Sequence, residues 1–284
     1  MSQQQFTRAP SSDGPGDNLV AALESCFLAS GLDTDAVAAI AAMCSTHTFP
    51  ARTEIFREGD DCTGLWVLTR GRVRLHHMSA DGRHQVASFR APGSPLELGP
   101  ALDGAHYSAS AVALDDVALA FLPRTAITKL GQLYPVTIRN VIEALCIELR
   151  QRDIATAVAV LKDARGRIGC ALLQLMRQYG VRHTDCIRIE FRLTRQDIAD
   201  RSGVTIETSV RVLSDLQRKG VLRTRNQVID ILDIAALKDL TACADCQFDC
   251  SVFAQPRNPG RDAAAGRRRL QHSHRPGNLP VRPR

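Results

Sequence analysis

The sequence predicts an α+β fold, because strand-like runs, a long helical segment and a final mixed stretch follow one another along its 284 residues. Six short runs of apolar and β-branched residues, separated by turn signals, occupy residues 51–123. A helical pattern covers residues 135–162, and helices alternate with strand-like runs in residues 167–240. This length allows two domains, each with its own core.

Both ends of the chain are expected to be disordered tails, residues 1–18 and 251–284, because they carry too little apolar surface to offset the entropy of ordering. No apolar run approaches the ~20 residues that a membrane helix needs, and the N-terminus lacks a signal-peptide pattern. We therefore expect a cytoplasmic protein with no membrane partner. Its nine cysteines should be thiols, metal ligands or redox switches.

The net charge of +6 does not by itself indicate nucleic-acid binding. Arginines are concentrated in residues 257–284, where the one acidic residue is Asp262, and the rest of the chain is close to neutral. This basic tail either contacts phosphates non-specifically or is simply solvated. A DNA-binding function therefore needs a local argument.

Residues 19–134 are expected to form the first domain. Residues 19–44 have a helical pattern, and the β-type runs begin after Pro50. Glycines 59, 71, 82 and 93 stand at the turns, where a positive φ costs glycine little. The regular spacing predicts an all-β barrel or sandwich built from the runs RTEIF, GLWVL, RVRLHHM, HQVASFR, YSASAVAL and DVALAFL.

Residues 135–163 are expected to form a long helix with apolar positions three or four residues apart, which would share one face. Such a face serves either as a dimer interface or as a contact with the helix's own domain, and its length favours dimerisation. The apolar positions are Ile138, Val141, Ile142, Leu145, Leu149, Ile154, Val158 and Leu161.

The stretch LTRQDIADRSGVTIETSVRVLSDLQRKGVL, within the expected domain 164–242, has the pattern of a helix-turn-helix. Thr194 and Asp197 form a helix N-cap pair, Gly203 permits the turn, and Thr205 caps the second helix. A buried stripe is predicted at Ser209, Val212, Leu213 and Leu216. The residues left facing outward are Ile206, Glu207, Val210, Arg211 and Ser214.

The outward residues have the chemistry for reading base edges. Arg211 can donate twice to guanine, Glu207 can accept from cytosine, and Val210 can contact a thymine methyl group. Alternatively, Glu207 and Arg211 form an ordinary i, i+4 surface ion pair. Arg223 and Arg225, on a following hairpin, favour DNA binding by supplying a basic wing.

Three segments, in this order, resemble the CRP/FNR family of bacterial transcription regulators over residues 20–240: EIFREGDDCTGLWVLTRGRVRL, the long helix, and TRQDIADRSGVTIETSVRVL. The resemblance implies an N-terminal β-roll (a jelly roll like that of cyclic-nucleotide-binding domains), a dimerisation helix and a C-terminal winged helix-turn-helix. It also implies a homodimer on palindromic double-stranded DNA, with RNA polymerase as a partner. The sequence contains neither a nucleophile–base pair nor a phosphate-cradling glycine loop, so an enzyme is not predicted.

The resemblance also implies roles for individual residues. Glu207 and Arg211 fall on the family's base-reading positions, and Val210 stands where one branch has serine. An operator core containing TGA/TCA is expected, whereas the outer bases are not determined. Residues near the family's phosphate-contacting positions are Thr194, Arg195, Gln196, Thr205 and Thr208.

The β-roll of this family can hold a cyclic nucleotide, but the stretch PLELGPALDGAHYSAS departs from that pattern. Glu97 is retained, whereas Leu96 replaces a glycine and Tyr107 replaces the arginine that grips the cyclic phosphate. A buried phosphate without a positive partner is costly, so cyclic AMP is not expected to bind.

The segment ACADCQFDC, residues 242–250, contains the cysteine motif 243–250, in which Cys243, Cys246 and Cys250 are close together, as in some members of this family. Close thiolates suit an iron–sulfur cluster or zinc, and a [4Fe–4S] cluster is the favoured expectation. Cys146 and Asp153 are candidates for the fourth ligand. The predicted function is a regulator that responds to oxygen, nitric oxide or redox state.

Three alternatives remain open: thiol-based sensing, a small-molecule effector in the β-roll, and an interaction protein stabilised by zinc. Among the other cysteines, Cys44, Cys146 and Cys170 are expected in the core, and Cys62 is expected to be partly exposed. The pair His76–His77 is interpreted as part of a strand surface rather than as a haem site.

Overall fold

A computed structural model describes residues 15–190 and 192–241 of the chain, with side-chain surroundings from Leu19 onward. The first part contains helices and a β-sandwich. Its elements are α1 (Pro15–Glu24), a 3-10 turn (Phe27–Ala29), α2 (Thr34–Ala42), β1 (Ser45–Phe49), β2 (Glu54–Phe56), β3 (Gly64–Arg70), β4 (Val73–Met78), β5 (His84–Arg90), α3 (Leu98–Asp103), β6 (Ser110–Ala113), β7 (Val117–Pro123) and α4 (Arg124–Leu133).

The strands form two antiparallel sheets, one in the order β1-β7-β3 and the other in the order β2-β6-β4-β5. The inner faces bury a common apolar core that includes Leu65, Leu68, Leu75, Leu119 and Leu122. This arrangement confirms the predicted β-roll and the α+β fold class.

The N-terminal helical segment differs from the prediction of one pattern over residues 19–44. It is interrupted between α1 and α2, where Gly31 has a φ of 77° and the Asp33 side chain accepts the Ala36 backbone N–H at 2.8 Å to start a new helix. Helix α1 also begins at Pro15, inside the expected tail 1–18. Strand β1 precedes Pro50 and was missed, because its sequence STHTF is polar and mostly exposed.

Gly71 shows why glycine marks the turns of the β-roll. It has a φ of 83°, and a Cβ at this position would lie 2.7 Å from the Asp116 carbonyl oxygen. Glycine is therefore required both by the backbone conformation and by the close approach of the backbone at Asp116.

The long helix α5 spans Pro135–Leu161, as predicted, but its apolar residues do not share one face. Ile154 and Val158 are buried, and Leu145 packs against the β-roll core, whereas Ile142 and Leu149 are 55% and 61% exposed. Two apolar faces therefore exist, one against the protomer itself and one open to solvent.

The C-terminal part combines a helix-turn-helix with a small antiparallel sheet in the order β10-β11-β9-β8. Its core includes Ile168, Leu172, Ile198, Leu213 and Ile231. The elements are α6 (Ala164–Tyr179), β8 (Gly180–Arg182), β9 (Ile187–Ile189), α7 (Arg195–Ser202), α8 (Ile206–Arg218), β10 (Leu222–Arg225), β11 (Val228–Ile231) and α9 (Ile234–Leu240).

The predicted hairpin joins β10 to β11 through Asn226 and Gln227, both with positive φ. Within the described residues, no helix has the length and apolar character needed to cross a membrane. The expected cysteine motif 243–250 and tail 251–284 lie outside the described residues, as does most of the expected tail 1–18.

Candidate nucleic-acid interface

Helix α7 begins with the capping box predicted from Thr194 and Asp197. The Thr194 hydroxyl accepts the Asp197 backbone N–H at 3.0 Å, and the Asp197 carboxylate accepts the Thr194 backbone N–H at 2.9 Å. The helix ends at Gly203, which has a φ of 61°. The chain can therefore turn sharply into the next helix.

Helix α8 begins at the Thr205 cap, whose hydroxyl accepts the Thr208 backbone N–H at 3.3 Å. The predicted buried stripe is present, since Ser209, Val212, Leu213 and Leu216 are all buried. The fully buried Ser209 hydroxyl donates to the Arg195 carbonyl at 3.0 Å. This small residue allows α7 and α8 to cross closely, which fixes the outer face of α8 relative to α7.

The outer face of α8, defined by Glu207, Val210 and Arg211, is open to solvent. Val210 is 38% exposed, so its methyl groups are available to a partner. The Glu207 carboxylate accepts from its own backbone N–H and interacts with Thr205, and these contacts lower its pKa. The three residues predicted to read bases therefore occupy one accessible surface.

The alternative surface ion pair between Glu207 and Arg211 is not formed. The ion pairs described on α8 all involve Asp215, near its C-terminal end. The Asp215 carboxylate is bound by Arg165 of α6 at 2.7 Å and also by Arg218 and Lys219, and these contacts lower its pKa. This ion pair holds the C-terminal end of α8 on α6. Because Arg165 and Asp215 are 50 positions apart, local sequence patterns do not predict their contact.

The predicted phosphate-contacting residues lie around the first turns of α7 and α8. Thr194, Arg195 and Gln196 are exposed at the start of α7, and Gln196 donates to Asp200 at 2.6 Å. Thr205 is also exposed, and Thr208 is half-buried. Backbone N–H groups and the helix dipole favour anions at such helix starts.

The wing differs from the expectation in one respect. Arg223 is not a free cation, because its guanidinium binds the buried Asp230 carboxylate at 2.9 Å. Arg188 binds the same carboxylate at 2.7 Å, so the three side chains bridge β9, β10 and β11. Arg225 is exposed at the hairpin tip and can contact a phosphate.

In the β-roll, the position expected to grip a cyclic phosphate is filled by Tyr107. Its ring stacks on Phe56, and its hydroxyl accepts the Trp66 Nε1–H at 3.0 Å. Glu97 is buried and accepts the Ser108 hydroxyl at 2.6 Å. The polar groups of this region therefore already have partners within the protein.

The cysteine predictions have mixed outcomes. Cys170 is buried as predicted, whereas Cys146 is exposed and Cys44 only half-buried. Cys62 is buried, not partly exposed, because it lies beneath the β-roll surface and donates to the Gly64 carbonyl at 3.3 Å. Cys146 was misplaced because the spacing of apolar residues did not reveal that α5 has a second, exposed face.

The two candidates for a fourth metal ligand, Cys146 and Asp153, are both exposed on α5. Cys243, Cys246 and Cys250 lie outside the described residues. Among residues 15–190 and 192–241, no group of three or more His, Cys, Asp or Glu side chains is arranged to hold a metal ion. His77 is partly exposed as predicted, but His76 is 7% exposed and therefore not a surface residue.

Comparison with known proteins gives the same two-part division. A model of the cyclic nucleotide-binding domain matches residues 46–134, and a model of the Crp-like helix-turn-helix domain matches residues 166–240. The cyclic AMP receptor protein of Thermus thermophilus is 29% identical over 192 residues, which cover 68% of this chain and 86% of that protein.

The nitrogen fixation regulation protein FixK of Bradyrhizobium diazoefficiens is also 29% identical, over 198 residues that cover 68% of this chain and 81% of that protein. The solved structure of FixK2 from Bradyrhizobium japonicum matches the fold with a TM-score of 0.62. That match has 23% identity and covers 69% of this chain and 96% of the other.

Proposed function

Because the chain belongs to the CRP/FNR family of DNA-binding transcription regulators, we propose that it binds a palindromic operator as a homodimer and controls transcription in response to a redox or gas signal. Its relatives are transcription regulators rather than enzymes. Family members usually bind DNA as dimers, and we extend that assembly to this chain.

The observation that supports operator reading best is the accessible outer face of α8. Glu207 and Arg211 stand one turn apart, are not paired with each other, and flank the exposed Val210. A carboxylate, an apolar group and a guanidinium in this arrangement match the chemistry of a major-groove edge. Arg211 would donate to guanine O6 and N7, Glu207 would accept from cytosine N4, and Val210 would contact a thymine methyl group.

The open face of α5 supports the homodimer. We name its residues the seam: six exposed positions with successive spacings of 4, 3, 4, 3 and 4, which is the repeat of a two-stranded coiled coil. Isolated apolar side chains are common on surfaces, whereas exposed apolar residues that recur at this spacing, here Ile142, Leu149 and Val160, are typical of a helix that pairs with a second helix. The seam consists of Ile142, Cys146, Leu149, Asp153, Thr156 and Val160.

A direct test is to select bound duplexes from a random DNA pool with the full-length protein. We expect an inverted repeat whose half-sites are one helical turn apart, about 34 Å, with TGA and TCA in the two halves. RNA polymerase is the proposed partner at promoters that carry this repeat. Selection of unrelated sequences, or binding that does not distinguish the repeat from scrambled DNA, would contradict the proposal.

We also propose that Cys243, Cys246 and Cys250 hold a [4Fe–4S] cluster, which would supply the sensitivity to oxygen, nitric oxide or redox state. Close thiolates are the ligands that such clusters use, and the fourth ligand stays unassigned, because Cys146 and Asp153 belong to the seam that the dimer would cover. The β-roll favours this assignment, because Tyr107 and Glu97 are already bonded within it.

Purification without oxygen, followed by iron, sulfide and zinc analysis, tests the sensor. We expect iron and sulfide, together with a visible absorption that bleaches in air, and Cys246→Ala should remove all three. Zinc that is stable in air would instead indicate a structural site. A protein without metal would direct attention to thiol oxidation or to a small-molecule effector in the β-roll.

A further inference from the structure

The outer face of β5 packs against the DNA-binding part of the chain. Val86, Phe89 and Ala91 are at most 4% exposed, and they belong to the same apolar core as Leu193 and Ile198. The sheet β2-β6-β4-β5 of the β-roll therefore contacts the helix-turn-helix directly, in addition to being connected to it through α5.

An ion pair lies at this contact. The Arg74 guanidinium of β4 donates to the Asp197 carboxylate of α7 at 3.0 Å, and the Asp197 side chain is only 9% exposed. Asp197 also belongs to the capping box of α7, since its carboxylate accepts the Thr194 backbone N–H and hydroxyl. Arg74 thus holds the first turn of the helix-turn-helix.

Two further hydrogen bonds join the same surfaces. The buried Tyr179 hydroxyl of α6 donates to the Phe89 carbonyl, and Arg72 donates to the Glu190 carbonyl at 3.2 Å. The first bond joins α6 to β5, and the second comes from Arg72, which precedes β4, so the two bonds join these surfaces at separate places.

The polar groups at this contact are only partly satisfied. Arg74 Nε and His76 Nδ1 are buried without a hydrogen-bond partner, and cross-strand pairing places them opposite Phe89 and Val86. A buried polar group without a partner has lost its hydration and gained no bond in exchange, so it destabilises the contact. The contact is therefore weaker than a continuous apolar core would be.

The covalent connection alone does not fix the orientation of the helix-turn-helix. Helix α5 ends at Leu161 and α6 begins at Ala164, and the backbone of the intervening Lys162 is extended. Two non-helical residues can act as a pivot. The lateral contact, which includes the Arg74–Asp197 ion pair, therefore helps to hold the orientation of α8 relative to α5.

This contact leaves the DNA-reading surface free. Glu207, Val210 and Arg211 remain exposed while Arg74 binds Asp197. The docked arrangement therefore does not block the operator, and it pre-organises the helix-turn-helix for binding.

We propose that Arg74, a residue of the β-roll, is a positioning residue for operator binding. Through Asp197, Arg74 holds each helix-turn-helix at the angle that sets the distance between the two α8 helices of the dimer. This inference rests on the proposed function, because it assumes that two copies read one palindrome.

The test compares R74Q and R74K with the wild type, and R83Q serves as a control because Arg83 lies on the same hairpin but pairs with exposed Asp81. Asp197 is not substituted, since its loss would also uncap α7. Without DNA, hydrogen–deuterium exchange should rise in β5 and α7 of R74Q only, and R74K should restore protection. Helix content and the thermal transition of the β-roll should be unchanged.

With DNA, R74Q should bind the selected palindrome roughly tenfold more weakly and a duplex with a single half-site as well as the wild type does. It should also lose the preference of the wild type for the natural half-site spacing over one with an inserted base pair. R74K should recover most of the affinity and the spacing preference.

Unchanged exchange in R74Q, or equal weakening on the half-site and the palindrome, would overturn the positioning role. Wild-type protein that does not distinguish the palindrome from scrambled DNA would instead overturn the proposed function. The hydrogen–deuterium exchange of wild type and R74Q would then still show whether Arg74 holds the helix-turn-helix on the sheet β2-β6-β4-β5.

Discussion

The rings of Phe56 and Tyr107 are stacked, with centroids 3.8 Å apart and planes inclined by 11°. The Tyr107 hydroxyl is also the acceptor for Trp66 Nε1. Burial raises the Tyr107 pKa, so the phenol stays neutral. At the position where the family resemblance implies an arginine for the cyclic phosphate, this β-roll has a neutral side chain whose ring stacks on Phe56 and whose oxygen is bonded to Trp66.

Cyclic AMP should therefore leave this protein unaffected. Entry of the phosphate would separate Tyr107 from Phe56 and Trp66 and would not provide a compensating positive charge. Titration calorimetry with cyclic AMP should show no saturable heat, and operator affinity should not change. Saturable binding of one nucleotide per protomer would contradict the role assigned to Tyr107 in the β-roll.

Arg211→Ala should remove sequence preference without removing affinity for DNA in general. Without this base contact, discrimination between operator and scrambled DNA should fall by about 1–3 kcal/mol per half-site. The slope of affinity against salt should stay similar, because base contacts release few counterions. Fluorescence anisotropy over a salt series measures both quantities.

Arg225→Ala provides the matched control, since Arg225 is exposed at the tip of the wing hairpin. It should weaken operator and scrambled DNA equally, and it should reduce the salt slope by about 1 for each phosphate that Arg225 neutralises in the complex. If the two variants behaved alike, the assignment of Arg211 to a base would be wrong.

Cys146 should report the geometry of the dimer. In a parallel two-fold dimer joined along the seam, the two Cys146 side chains lie at the same level, within reach of a disulfide after small adjustments. Mild oxidation should then give a covalent dimer on a non-reducing gel. A background in which Cys243, Cys246 and Cys250 are serine removes competing cross-links.

In that background, Cys146→Ser should abolish the covalent dimer, whereas Cys170→Ser should not, because Cys170 is buried. A cross-link that persists without Cys146 would indicate a different interface.

Asp230 should make the wing sensitive to acid. Arg188, and after it Arg223, hold the Asp230 pKa at about 2, below its ordinary value of 3.8. Since the folded-state pKa is lowered, the stabilisation is complete above about pH 4 and is lost as the pH falls towards 2. Asp230→Asn should cost about 1–2 kcal/mol at neutral pH.

Urea unfolding at a series of pH values measures this effect. The stability difference between the wild type and Asp230→Asn should shrink as the pH falls from about 4 to about 2. Asp239→Asn is the surface control, because Asp239 is exposed on α9. A difference that stays constant over this range would contradict the assigned ion pairs.

The sequence was most informative where periodicity and capping agree. Thr194, Asp197 and Gly203 specify the ends of α7 through local hydrogen bonds and backbone conformation. In α8, the buried Ser209 and Val212 are three residues apart, close to the 3.6 residues of one helical turn. These interactions join residues within about one helical turn, so their partners can be read from the chain itself.

The sequence was least informative about contacts between distant segments. Arg74 and Asp197 are 123 positions apart, and Arg165 and Asp215 are 50 apart. Helix periodicity also cannot distinguish the face of α5 that covers the β-roll from the face that is open, because both contain Ile and Val. Only the packing of α5 against α4, the 3-10 turn and α6 determines which residues are covered.

The docking of the helix-turn-helix should also protect the sheet β2-β6-β4-β5 from aggregation. Strand β5 is the last strand of its sheet, and such an edge offers unpaired backbone groups to any other extended chain. The Tyr179 hydroxyl occupies the Phe89 carbonyl as a neighbouring strand would. A protein whose helix-turn-helix is detached should therefore begin to aggregate before it unfolds, and the defect would first be seen in a cell as reduced solubility.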